Sequence, residues 1–134
     1  MDIVALIGRI LFSAIFLSSA YGHFAQTAAM TGYAESKKVP AARLAVLGGG
    51  VLLLLGGLMV LLGVWGDLGA LFLVVFLVPT ALLMHNFWAE TDEQAKMMDM
   101  VQFFKDTGLA GASLLVFVLY ATGDLGLTIT DPLF

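Results

Sequence analysis

The stretch Pro79–Asp106, PTALLMHNFWAETDEQAKMMDMVQFFKD, decides how the chain is read. It begins at the end of an apolar run of about 20 residues, the length that crosses a hydrocarbon core of about 30 Å. That run closes in His85-Asn86-Phe87-Trp88, and an acidic turn, Glu90-Thr91-Asp92-Glu93, follows. Thr91-x-x-Gln94 reads as a capping box with Asp92 and Glu93 in the first helical turn, where the helix dipole favours acids. Met97, Met98, Val101 and Phe104 then recur at helical spacing and predict an amphipathic lead-in. Lys105 and Asp106 lead into the last apolar run, where a charge calls for a partner, water or a ligand.

Working outward, the rest of the chain repeats the apolar theme. Of 134 residues, 60% are hydrophobic and only 12% charged, and the mean hydropathy is +1.00. A soluble domain of this size has too little interior for so much apolar side chain. The reading is all-α: one domain over residues 1–134, a transmembrane four-helix bundle with spans at about 3–24, 40–64, 68–88 and 101–121. The bilayer is its first partner. Formal charge is −4 with no basic run, which argues against nucleic acid. There is no Cys, so thiolate metal sites, iron–sulfur clusters and dithiol chemistry are excluded.

The first run carries Asp2 and Arg9 and is long, which argues for a retained helix over a cleaved signal peptide. Within it Ala14, Ser18 and Gly22 recur every four residues, a stripe expected to pack against a neighbour. Arg9, Phe16 and His23 recur every seven and share a face, with Arg9 and His23 about 21 Å apart along it. Residues 25–42 read as a polar loop. In the second run Ala42, Gly49, Gly56 and Gly63 fall on one heptad position, a packing stripe. Trp65-Gly66-Asp67 is the next turn. Pro79 predicts a kink, with Thr80 placed to help satisfy freed carbonyls. Gly108 and Ala112 offer a further small face. The tail, ATGDLGLTITDPLF, is expected to leave the membrane.

Tyr21, Tyr33 and Trp88 are expected at one membrane surface, and Trp65 and Tyr120 at the other. The first surface carries both longer loops, with Lys37, Lys38, Arg43, Lys96 and Lys105; the side of the termini carries Arg9. The positive-inside rule therefore places both termini away from the cytoplasm.

His23 and His85 end their spans at the surface where Lys105 and Asp106 enter. Three readings compete. These groups hydrogen-bond one another and water, they bind a quinone or small anion with His and Lys as donors, or two His ligate a haem or another metal. The last has the least support, since two His without a third ligand are a weak signal. The candidate ligand-binding residues are His23, His85, Lys105 and Trp88; no metal ligand set and no catalytic constellation is assigned. Arg9 either snorkels to the headgroups or forms a structural ion pair with Asp67 or Asp124.

The pattern resembles the DoxX family of small membrane proteins across nearly the whole chain. The matching residues are Gly8-Arg9, His23-Phe24, Met30-x-Gly32-Tyr33-Ala34-x-x-Lys37-x-Val39-Pro40, Gly56-Gly57-Leu58 and His85-x-Phe87-Trp88, then Met100-x-x-Phe103-x-Lys105. Where the family often reads Lys-Asn, this chain has Lys105-Asp106. Some members are subunits of thiosulfate:quinone oxidoreductase, and others are linked to oxidative-stress complexes or cofactor maturation. The resemblance implies a multi-pass protein of the cell membrane, in bacteria the inner membrane. It implies an accessory or quinone-linked subunit of a membrane redox system, with a protein partner or homo-oligomer; the alternative is a non-catalytic scaffold or transport-assisting protein. His23, His85 and Lys105 would serve a quinone-dependent oxidoreductase subunit.

Overall fold

The computed structural model describes all 134 residues. It is helical throughout: α1 (Asp2–Ala25), α2 (Thr27–Ser36), α3 (Ala42–Leu62), α4 (Gly66–Met84), a 3₁₀ turn (Phe87–Ala89) and α5 (Glu93–Ala121). Four of these, all but α2, are long and apolar enough to cross a membrane. They pack in chain order, α1 on α3, α3 on α4 and α4 on α5. Phe16, Leu53, Val60, Leu73, Leu77 and Tyr120 meet in the core. Large apolar side chains such as Ile3, Leu11, Leu44, Val75 and Leu115 cover the outside, as expected where lipid is the solvent.

The heptad stripe of α3 is the inner seam. Ala42, Gly49, Gly56 and Gly63 are all buried. A Cβ on Gly56 would lie 2.9 Å from the Gly69 carbonyl oxygen, and one on Gly69 only 2.6 Å from Met59 Cβ. These two glycines let α3 and α4 cross backbone to backbone. On α1 the buried face is Arg9, Ser13, Phe16, Ala20 and His23. No helix of this chain packs on the other stripe: Ala14 and Ser18 are exposed, and a Cβ on Gly22 would meet nothing within 4 Å. The same holds for Gly108. Packing of α1 is led by the stripe that carries the polar residues.

Four further expectations change. Residues 25–42 contain α2, which the Ala34, Ala42 and Val46 cluster fastens to α3. The lead-in and the fourth span form one helix of 29 residues, because Glu93–Thr107 contains no Gly or Pro to interrupt it. The cap of that helix is Asp92, whose carboxylate accepts the Ala95 amide at 2.9 Å. Thr80 donates to the Phe76 carbonyl at 2.7 Å, whereas the acceptor freed by Pro79 belongs to Val75, four residues back.

The tail does not leave the bundle. It lies across the end where α3 turns into α4. The Ile129 and Thr130 amides donate to the Gly63 carbonyl, and Thr130 Oγ1 accepts from the Trp65 amide. Gly63, at φ 66°, ends α3 in the left-handed conformation that suits a glycine. Tyr120, expected at the interface, is buried under this strap and donates its hydroxyl to Val60 O at 2.6 Å.

Candidate functional site

The polar residues separate into two groups at opposite ends of the bundle. At the tail end, Arg9 forms no ion pair. Its guanidinium donates to Val60 O, Leu61 O, Gly126 O and Leu127 O at 3.2, 2.7, 3.0 and 3.0 Å, with Tyr120 beneath it at 5.8 Å. Two of these acceptors are last-turn carbonyls of α3, which have no partner within their own helix. The expected pairing of Arg9 with Asp67 or Asp124 is therefore corrected. Asp67 Oδ2 accepts the Leu133 and Phe134 amides at 2.6 and 2.7 Å, and its buried Oδ1 has no partner. Asp124 accepts from Thr122 Oγ1. A guanidinium facing four backbone oxygens is satisfied by partial charges. Arg9 and Asp67 each hold a different part of the tail.

At the other end, α4 stops at Met84, and His85 caps it in a non-helical conformation. The 3₁₀ turn then sends α5 back antiparallel to α4. Asp99 and Asp106 are seven residues apart and so fall on one face of α5. Both are buried, at 7% and 4% exposure, and both meet His85. Its Nδ1 is 3.5 Å from Asp99 Oδ1 and its Nε2 is 3.6 Å from Asp106 Oδ2. These are ion-pair separations, longer than an ordinary hydrogen bond.

The other oxygen of Asp99 holds Lys37 Nζ at 2.6 Å, and Glu90 Oε1 holds the same ammonium at 2.7 Å. Lys37 sits just past the end of α2, so this pair ties α2 to α5 and to the loop before it. Burial pulls the Lys37 pKa down. The hydrogen bonds that Lys37 donates to Asp99 and Glu90, with the charges of Tyr33 and Asp99, outweigh that and leave it above its ordinary 10.5. On the far side, Lys105 Nζ is 3.5 Å from Asp106 Oδ1 and bonds Gln102 Oε1.

Of these groups, His85, Lys105 and Asp106 border a cavity of about 620 Å³ between α1, α2, α3, α4 and α5, a volume typical of small-molecule sites. His23, His85, Lys105 and Asp106 line it together with Met30, Tyr33, Val46, Phe76 and Met84. Gly48, Val75 and Leu83 are on its wall and also exposed on the bilayer-facing side. His23 Nδ1 lies 2.7 Å from Val46 O. A carbonyl only accepts, so Nδ1 carries the proton, and Nε2 has no protein hydrogen bond. The edge of the ring packs on Phe76.

His23, His85 and Lys105 all line this cavity, and Trp88 does not. Its ring stacks edge-on against Phe87 and Phe103 outside the cavity, and it is 56% exposed. No three His or acidic side chains form a group that could hold a metal ion. The residues that sequence reasoning passed over are Asp99, Glu90 and the pairing role of Lys37. The seven-residue spacing of Asp99 and Asp106 is the signal that could have found the first. Chemically, the wall offers two imidazoles and an ammonium as donors to an oxygen-bearing head group, with apolar walls for its tail.

Neither the curated proteins nor the solved structures contain a match to this chain. The family model for DoxX matches residues 4–86, which takes in α1 to α4 with His23, His85, Arg9 and the Gly stripe. With its four membrane-length helices, the chain is a multi-pass membrane protein and belongs to the DoxX family.

Proposed function

We propose that the chain is a quinone-linked accessory subunit of a membrane redox system, holding a quinone in the cavity. One observation carries the reading. A cavity of about 620 Å³ has imidazole and ammonium groups in its lining, and apolar walls that are exposed on the helix surface at Gly48, Val75 and Leu83. That combination suits an amphipathic molecule that arrives from the bilayer. A quinone carbonyl only accepts hydrogen bonds, and Lys105 and the imidazoles donate them. The proposed setting is the cell membrane, with both termini on the non-cytoplasmic side.

The test uses the purified protein in nanodiscs, titrated with decylubiquinone and read by quenching of its tryptophans. His85→Ala and Lys105→Ala each weaken binding about tenfold to a hundredfold, from charge-assisted hydrogen bonds of about 1.5–3 kcal/mol. Unchanged affinity in both variants would sink the reading. The alternative is a non-catalytic scaffold or transport-assisting role, and the uncovered face of Ala14, Ser18 and half-buried Gly22 supports it. That smooth strip lets another transmembrane helix approach α1 closely, whether from a partner or a second copy. Co-purifying chains with no quinone binding favour that role.

A further inference from the structure

His85, on the wall of the larger cavity, also touches Asp99, which lines a second pocket. On the loop side, this pocket of about 310 Å³ is bounded by Lys37, Glu90 and Asp99. On the membrane side lies the larger cavity, with His85 and Asp106 on its wall. Asp99 faces Nδ1 and Asp106 faces Nε2, one carboxylate on each ring nitrogen.

This arrangement has a proton deficit. A carboxylate only accepts, so each nitrogen is best matched as N–H, yet a neutral imidazole has a single N–H. One end must therefore set a lone pair against a carboxylate, unless a further proton sits on the ring or on Asp106. The charges agree. Glu90, Asp99 and Asp106 bring three negative charges, and Lys37 and Lys105 bring two positive ones, within contacts of 2.6–3.6 Å. With His85 neutral the cluster carries −1, and one added proton brings it to zero, the favoured state for a buried group of charges. The remaining titratable groups near the ring are His23, on the cavity wall, and Tyr33, on the wall of both pockets.

We propose that Asp99, His85 and Asp106 form a proton path from the Lys37–Glu90 pocket to the cavity, where the His85–Asp106 pair stores one exchangeable proton for the bound molecule. His85 accepts a proton at Nδ1 from the Asp99 side and releases one from Nε2 to Asp106 or to a ligand oxygen. The step moves one proton and no electron. The residue order has a reason. An imidazole takes up and releases protons on opposite sides, and the two acids hold its ring by both nitrogens. Delivery to a ligand rests on the quinone reading; the shared proton does not.

Two measurements on the full chain keep these apart. The first needs no ligand: infrared spectra are recorded across a pH titration, with Asp106→Asn identifying the Asp106 carboxyl band. In the unmodified protein that band and the imidazolium band change together, and His85→Gln moves the carboxyl midpoint by about one pH unit or more, as coupled sites require. A carboxyl band indifferent to His85→Gln overturns the proposal.

The second counts protons when decylubiquinone or decylubiquinol is added in weak buffer with a pH dye. The quinone needs a donor on Nε2 and the quinol can donate to it, so quinone binding takes up about one proton more. His85→Gln removes the difference. Asp99→Asn slows the exchange about a hundredfold, the scale of a lost acid–base group, and Asp99→Glu restores it. Equal counts for both bound probes overturn delivery to the ligand. Failure of both to bind, with the infrared coupling intact, removes the quinone and keeps the stored proton.

Discussion

Replacing Arg9 with Met keeps an apolar stem in the α1 seam and removes the fork. The two bonds to Val60 O and Leu61 O are charge-assisted and close the exposed end of α3. At about 1.5–3 kcal/mol each they set a loss of about 3–6 kcal/mol. The bonds to Gly126 O and Leu127 O add less, because a released tail is hydrated. Mixed-micelle unfolding followed by Trp65 fluorescence measures the loss, and protease cleavage within residues 122–134 reports release of the strap. The comparison that decides the cause is Asp67→Asn. An Asn oxygen still accepts the Leu133 and Phe134 amides, so the loss is the charge on those bonds and a buried NH2 without an acceptor, about 1–3 kcal/mol. The two losses add approximately in the double variant. If Asp67→Asn alone costs as much as Arg9→Met, and the double variant costs no more than either, the two side chains form an ion pair and the carbonyl account fails.

Gly56→Ala forces a methyl against the Gly69 carbonyl and Leu73, and detergent melting should show a loss of about 1–3 kcal/mol. Gly48 has open space around it and lines the cavity; Gly48→Leu should melt within about 1 kcal/mol of the parent yet block decylubiquinone. Lys37 has its folded pKa raised above 10.5. Its stabilising contribution is complete below that value and disappears as pH rises through the higher folded value. Lys37→Gln should therefore flatten the alkaline loss of stability, and an unchanged alkaline limb contradicts the Lys37–Asp99–Glu90 contact. A reporter active only in the cytoplasm, fused after Phe134, should be inactive, as the five-to-one basic asymmetry requires; strong activity reverses the orientation.

Arg9 and Asp67 show that the tail is part of the fold. Between them they fix both ends of a segment whose large apolar side chains Leu127, Ile129, Leu133 and Phe134 stay mostly exposed. Leu125 packs on the core near one end, and Phe134 lies against Phe117 at the other. Such a strap covers the turn at Gly63 and Trp65, where backbone groups would otherwise lack partners.

The four crossings are legible in the residues alone, because runs of about 20 apolar residues have few alternatives in water or lipid. Helix length, at 1.5 Å per residue, already assigns His23, His85 and Lys105 to similar depth, and all three line one cavity. The sequence also marked the buried face of α1 through Arg9 and His23, and the inner seam of α3 through its glycines. The rotation of each helix was less legible. In a bilayer both faces are apolar, so the hydrophobic pattern does not distinguish inside from outside. The small stripe of α1 and Gly108 accordingly face away from the other helices of the chain. Only the tertiary structure decided the partners of the charges. Arg9 chose backbone carbonyls, which every residue carries and no sequence pattern marks. His85 acquired Asp99 and Asp106 because the turn after Trp88 folds α5 back at one particular rotation, and the polar contacts themselves hold that rotation.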